Sequence, residues 1–169
     1  MDYFVTGATG FIGKRLVRKL LARPGSTIHF LTRSADPEKL AALYAFWGVD
    51  DSRAIPVVGD LKAPHLGVAR AEQRTLKGKI DHFFHLAALY DLGAPAEEDE
   101  AVNIAGTRNT LALAEAIAAR RFHHMSSLAA AGMFEGIFRE DMFDEAENLD
   151  HPYFRTKHEA EGIVRKECK

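Results

Sequence analysis

Tyr153 and Lys157 stand four residues apart in the segment HPYFRTKHE. On a helix that spacing puts both side chains on one face. Of the four tyrosines, only Tyr153 has a lysine at that offset. A free phenol titrates near about 10, too high to trade protons well at neutral pH. A nearby ammonium favours the phenolate. Such a pair can give a proton to a developing alkoxide in carbonyl reduction, or take one in oxidation. The same spacing also arises by chance on helix surfaces. Ser126 and Ser127 follow the segment FHHM. A serine at the carboxyl end of a strand sits where open α/β sheets bind ligands. Its hydroxyl can hold a substrate oxygen beside the phenol, or merely satisfy loop backbone.

Near the N-terminus, Gly7, Gly10 and Gly13 form G-x-x-G-x-x-G within TGATGFIG. Glycine permits a tight turn and a close approach of backbone to a phosphate. A following helix offers free N–H groups and its positive dipole end to a pyrophosphate. NAD enzymes usually place an acid at the end of the second strand, where it holds the ribose 2′-OH. Here that place reads Thr32-Arg33-Ser34, with no carboxylate. A guanidinium suits a 2′-phosphate and stacks on adenine. Arg33 therefore favours NADPH, and the nearby Asp36 keeps NADH as the less favoured alternative.

The elements that must position these residues follow from the pattern. Strands are expected at Tyr3–Val5, Thr27–Thr32, Ala54–Val58, Asp81–Leu86 and Phe122–Ser126. Helices are expected at Phe11–Ala22, from Asp36-Pro37 through Trp47, near Arg70–Leu76, at Glu97–Ala119 and at Tyr153–Glu167. Asp36 reads as a cap with proline at the first helical position. Strands alternating with helices imply an α/β fold, a Rossmann-type doubly wound parallel sheet. A full sheet of this type normally has a sixth strand. Residues 1–169 are thus expected to be the N-terminal part of one dinucleotide-binding domain, cut short after the fifth strand and its helix.

Composition sets outer bounds. The 169 residues are 47% hydrophobic and 27% charged, as in ordinary globular proteins, with a formal charge of −2. No long basic run appears, which disfavours nucleic acid as a partner. The single cysteine, Cys168, rules out an internal disulfide framework and suits a cytoplasmic setting. The opening MDYFVTGATGFIG breaks into glycines too early for a signal peptide. The longest apolar stretches are too short to cross a bilayer. His82 with His85 and His123 with His124 fall on expected strands without cysteines nearby, so no metal site is expected. The run Glu97-Glu98-Asp99-Glu100 suits a helix N-terminus electrostatically and carries no expected catalytic role.

Taken together these motifs resemble the extended short-chain dehydrogenase/reductases, over the whole chain. Thr6 to Gly13 is similar to that family's cofactor loop, which brings Thr9, Phe11 and Ile12 into the expected cofactor site with the three glycines. Gly59-Asp60-Leu61 is similar to its adenine-contact motif, with Asp60 toward the adenine amino group. His85-Leu86-Ala87-Ala88 looks like its strand-four segment, where Ala87 and Ala88 pass the cofactor. The resemblance implies catalytic roles for Ser127, Tyr153 and Lys157, the last two also touching cofactor. It implies that Asn103, in VNIAGTRN, shapes the site and supports a proton relay.

The segments LTRSADPEKLAAL, AALYD, FHHMSSLAAAG and FREDMFDE further resemble bacterial reductases of fatty acyl thioesters and related multidomain reductases. That implies hydride transfer from NADPH to a small-molecule or acyl-thioester carbonyl, and it allows a homodimer. A sugar-nucleotide epimerase or dehydratase with bound NAD, or a dinucleotide-binding module without chemistry, are the alternatives, because fold and triad do not fix a substrate.

Overall fold

The computed structural model describes every residue except Leu92, Ala94 and Lys169. The chain forms two compact units. The first comprises Met1–Ala87 with Asn109–Met125, the second Ala88–Arg108 with Ser126–Lys169.

In the first unit, β1 (Asp2–Thr6), β2 (Thr27–Thr32), β3 (Ala54–Val58), β4 (His82–His85) and β5 (Phe122–His124) make one sheet, ordered β3-β2-β1-β4-β5. All neighbouring pairs are parallel. The Rossmann-type α/β fold expected from the sequence is therefore present. Both faces of the sheet are covered, which explains the unbroken buried run Tyr3–Thr6 in β1. Strand alternation then divides the core in two. Tyr3, Val5, Ile28 and Phe30 pack with Val17, Leu20 and Leu21 of α1 (Phe11–Leu21) and with Trp47 of α2 (Pro37–Trp47). Phe4, Leu31, Val57 and Phe83 pack on the opposite side with Leu76 of α3 (Arg70–Leu76). Leu113 and Ile117, from the far end of the next long helical run, complete that side.

Asp36 caps α2 as expected, its carboxylate accepting from the Glu38 and Lys39 N–H groups at 3.0 and 3.3 Å. Gly48 ends the helix in the left-handed conformation, φ 69°.

The long helical run departs from the sequence expectation. It starts as α4 (Ala96–Asp99), widens into a π-helical segment over Glu100–Ala105, and continues as α5 (Gly106–Ala116). Alanine and leucine content cannot encode such a widening. It accompanies the inward polar side chains of Asp99 and Asn103, both buried. The fifth strand is also shorter than expected. It ends at His124 because Ser127 caps a tight 3-10 turn at Leu128–Ala131, its Oγ accepting from the Ala129 N–H at 3.2 Å. In the second unit, α6 (Pro152–Glu167) begins with proline in its first turn, and the His151 ring accepts from the Tyr153 N–H at 3.1 Å.

Two histidines are expected to make stability depend on pH. His29 of β2 is buried, and its Nδ1 has no hydrogen-bond partner among the described residues. Burial holds its pKa below the ordinary 6.5, against weaker upward pulls from Asp2 and Glu72. His123 of β5 shares a 2.8 Å hydrogen bond with His82, and burial first, then His82 and Arg121, lower its pKa. A base with a depressed folded pKa binds fewer protons folded than unfolded, so its contribution is whole above 6.5 and lost as pH falls below it. We expect urea midpoints to fall from about pH 8 to about pH 5.5. His29→Leu should flatten that slope; an unchanged slope in the variant would remove His29 from the cause.

Candidate functional site

In the first unit, the residues expected to hold a dinucleotide all lie beyond the carboxyl ends of parallel strands. The glycine loop follows β1, Arg33 follows β2, Asp60 and Leu61 follow β3, and Ala87 follows β4. Open α/β sheets bind ligands along that edge.

The three loop glycines have different physical reasons. Gly7 has φ 72°, and a Cβ there would stand 2.7 Å from the Ala87 nitrogen. At Gly13 a Cβ would stand 2.0 Å from the Gly7 carbonyl oxygen. Both are therefore required by backbone packing within the fold. Gly10 is not. Its φ is −74°, open to any residue, and a Cβ would meet only the Gly7 oxygen, at 3.3 Å. Gly10 is also the N-cap of α1, with no side-chain cap and no acid in the first turn. The first N–H groups of an 11-residue helix are thus left for an anion. Thr9, Phe11 and Ile12 flank them and are exposed, Phe11 at 74%.

Arg33 is exposed and has no ion-pair partner among the described residues. Asp36 is engaged as a helix cap and lies 4.0 Å from the Lys39 ammonium. Asp60 is exposed, its carboxylate accepting from the Lys62 N–H at 2.9 Å. The Leu61 carbonyl accepts from Asn109 at 2.8 Å. The Ala87 N–H reaches the Thr6 hydroxyl at 3.3 Å. These residues fit a dinucleotide: an uncapped helix start, a free guanidinium and an exposed carboxylate along one sheet edge.

In the second unit, Tyr153, Thr156 and Lys157 are buried on α6, Lys157 at 3% exposure. Burial lowers the Lys157 pKa, opposed by the Glu161 carboxylate. The Tyr153 ring meets the Tyr90 ring edge-on, centroids 5.2 Å apart. Asn103 is buried, and its side chain is committed within the unit. Its Oδ1 accepts from the Leu89 N–H at 2.8 Å, and its Nδ2 reaches the Leu89 carbonyl and the Thr156 hydroxyl, both at 3.2 Å. Thr156 in turn donates to the Tyr153 carbonyl at 3.2 Å. Asn103 thus joins the loop after β4 to the turn of α6 that carries Tyr153. Ala88 of that loop is exposed.

Ser126 and Ser127 line a cavity of about 430 Å³ with Leu128, Phe138, Met142 and Glu161 among its other walls. Tyr153, Lys157 and Asn103 do not line it. Sequence reasoning missed Glu161, whose carboxylate accepts from the Ser126 hydroxyl at 2.5 Å and pairs with Arg165 at 2.7 Å. Its spacing of four from Lys157 was the available signal.

A family model described as male sterility protein matches residues 5–169. The chain belongs to that family, within the extended short-chain dehydrogenase/reductases. It is 31% identical over 132 residues to a putative fatty acyl-CoA reductase of Drosophila melanogaster, covering 69% of this chain and 26% of that one. It is similar in structure to the terminal R domain from the myxalamid PKS-NRPS biosynthetic pathway, with TM-score 0.82 and 30% identity over 98% of this chain and 45% of that one. It is also similar to UDP-glucuronic acid 4-epimerase from Bacillus cereus in complex with NAD, with TM-score 0.76 and 25% identity over 98% of this chain and 52% of that one. The chain therefore spans about half or less of each of these proteins. Among the described residues, no helix is long and apolar enough to cross a membrane.

The glycine geometry separates folding from binding. Gly13→Ala should lower the melting midpoint by about 3 °C or more through backbone overpacking. Gly10→Ala should leave it within about 2 °C and weaken NADPH binding about tenfold, read by calorimetry. Equal destabilisation by both would remove the distinction.

Proposed function

We propose that this chain binds NADPH and carries the proton-handling residues of a reductase acting on a fatty acyl thioester or aldehyde. The observation that carries the reading is Lys157, an ammonium buried one turn after a buried tyrosine on the same helix face. Burying a charge is costly unless it is paired, and the Glu161 carboxylate one turn further along the helix favours the charged form of Lys157. A cation beside a phenol stabilises the negative charge that develops as the proton leaves. Tyr153 then delivers its proton to the carbonyl oxygen, and Lys157 holds the field that makes this possible. Ser127 offers a hydroxyl to the substrate oxygen. Asn103 acts by fixing the Tyr153 turn rather than by touching substrate. Bound NADPH supplies the hydride.

For the cofactor, Gly7, Gly10 and Gly13 with Thr9, Phe11 and Ile12 form the pyrophosphate cradle. Asp60 and Leu61 hold the adenine side, and Ala87 and Ala88 pass the cofactor. Arg33 supports NADPH over NADH because it is an exposed cation with no ion-pair partner among the described residues, whereas Asp36 spends its carboxylate on α2. The acyl thioester reading is supported by the likeness to the putative fatty acyl-CoA reductase. In that reaction the carbonyl carbon takes a hydride and the oxygen takes a proton. The resulting hemithioacetal collapses to aldehyde and thiol.

Titration of the chain with NADPH and NADH tests the cofactor assignment. NADPH should bind at least about tenfold tighter, and Arg33→Ala should erase most of that preference. An NADH preference would overturn the assignment. For chemistry, Tyr153→Phe should lower acyl-thioester-dependent NADPH oxidation by about a hundredfold or more while leaving NADPH affinity within a few-fold. Retained turnover would remove the proton-donor role.

A further inference from the structure

Asp99 is 1% exposed at the end of α4, immediately before the π-helical segment. Its Oδ2 is buried with no hydrogen-bond partner among the described residues. Its Oδ1 lies 3.4 Å from the Asn103 Nδ2, four residues along the same run. A side-chain amide has two N–H groups. Asn103 faces three acceptors: the Leu89 carbonyl and the Thr156 hydroxyl at 3.2 Å, and Asp99 at 3.4 Å. Two hydrogens cannot serve three acceptors fully. Which acceptor loses depends on charge, because a bond to a carboxylate is roughly twice as strong as one to a neutral oxygen. The observed spacing is that of an amide held by Leu89 and Thr156.

We propose that Asp99 is a positioning residue for the Tyr153 site, its charge state setting how Asn103 divides its two N–H groups. While Asp99 is neutral, Asn103 serves Leu89 and Thr156 and holds the loop after β4 to the Tyr153 turn. When Asp99 ionises, it draws the amide and one of those ties is released. This rests on the reading of Tyr153 as proton donor.

Burial raises the Asp99 pKa above the ordinary carboxylate range. The groups facing it are His151 at the start of α6, Asp91 in the loop after β4, Arg155 on α6 and Glu98 on α4. His151 and Arg155 pull the pKa down, while Asp91 and Glu98 push it up. Arg155 is itself committed to Glu100 at 2.6 Å and Glu159 at 3.1 Å, so its charge is partly spent elsewhere.

The test is an NMR titration of the 169-residue chain, following the Asp99 carboxyl carbon and the Asn103 side-chain amide. In the wild type both should move in one step, with a midpoint above about 4. Asp99→Asn should abolish the Asn103 step. In the acyl-thioester assay, the pH profile of kcat/KM should carry the same step and lose it in Asp99→Asn. An Asp99 midpoint at or below about 4, or an Asn103 amide that ignores it, overturns the proposal. If the variant does not fold, the wild-type titration alone decides. A clean NMR step together with turnover that survives Tyr153→Phe would instead count against the reductase reading, leaving the Asp99–Asn103 coupling intact.

Discussion

The first unit depends on one close approach of backbone to backbone, where the chain leaves β1 and enters α1. Gly13 sits where a single methyl group would stand 2.0 Å from the Gly7 carbonyl oxygen. Gly7 itself needs a left-handed φ of 72° and lies under the Ala87 nitrogen. No other residue type satisfies both places without moving β1, α1 or the exit of β4. Once that turn is fixed, α1 must lie on the face that Tyr3 and Val5 present, and Trp47 of α2 closes the same face with its indole N–H on the Lys14 carbonyl at 3.0 Å. The N-terminal end of α1 is then exposed at the carboxyl edge of the sheet. Among the described residues no side chain caps that helix start, beside Gly10.

The second unit is organised by polar burial. Asp99, Asn103, Thr156 and Lys157 are all at most 3% exposed. Burying such groups costs free energy unless each finds a partner. Asn103 meets part of that demand, its oxygen accepting from the Leu89 N–H and its amide facing the Leu89 carbonyl, the Thr156 hydroxyl and one Asp99 oxygen, while the other Asp99 oxygen has no partner among the described residues. The π-helical segment is the backbone consequence. A wider turn turns Asp99 and Asn103 inward together, and the Thr107 hydroxyl takes the Asn103 carbonyl at 2.7 Å. A unit held this way has few spare hydrogen bonds, so a change of charge at one member is felt at the next.

Much of the first unit was legible because its signals are local. Asp36-Pro37 marked a helix start, and the carboxylate does cap α2. Thr27–Thr32 and Ala54–Val58 were readable to the residue, since apolar runs between turn formers fix strand ends directly. The ends set by side-chain hydrogen bonds were not legible. Phe122–Ser126 looks apolar enough to continue, yet Ser127 turns the chain after His124. Glu97–Ala119 looks like uninterrupted helix, yet its middle is π-helical, where Asp99 and Asn103 are buried. Asp99 was hidden inside an acidic run whose helix-dipole explanation is sufficient for its neighbours. Glu97, Glu98 and Glu100 are exposed, and of that run Asp99 alone is buried. Spacing of four from Asn103 distinguishes it, but only once the fold shows that face turning inward.

The two units also differ in what their charged groups are doing. In the first, Arg33 and the start of α1 are solvated cationic features that cost little to keep in the absence of ligand. In the second, Lys157 is a cation kept out of water, with Glu161 opposing the effect of burial on its pKa. A solvated cation suits recognition, because it loses little on being matched by a phosphate. A buried cation suits proton transfer, because its field is felt at short range in a low dielectric. Glu161 also accepts from Ser126 and pairs with Arg165, so its charge is shared among several groups. On the proposed reading, a carboxylate held by Lys157 alone would cancel the field at Tyr153, whereas one shared with a hydroxyl and a guanidinium leaves part of that field available.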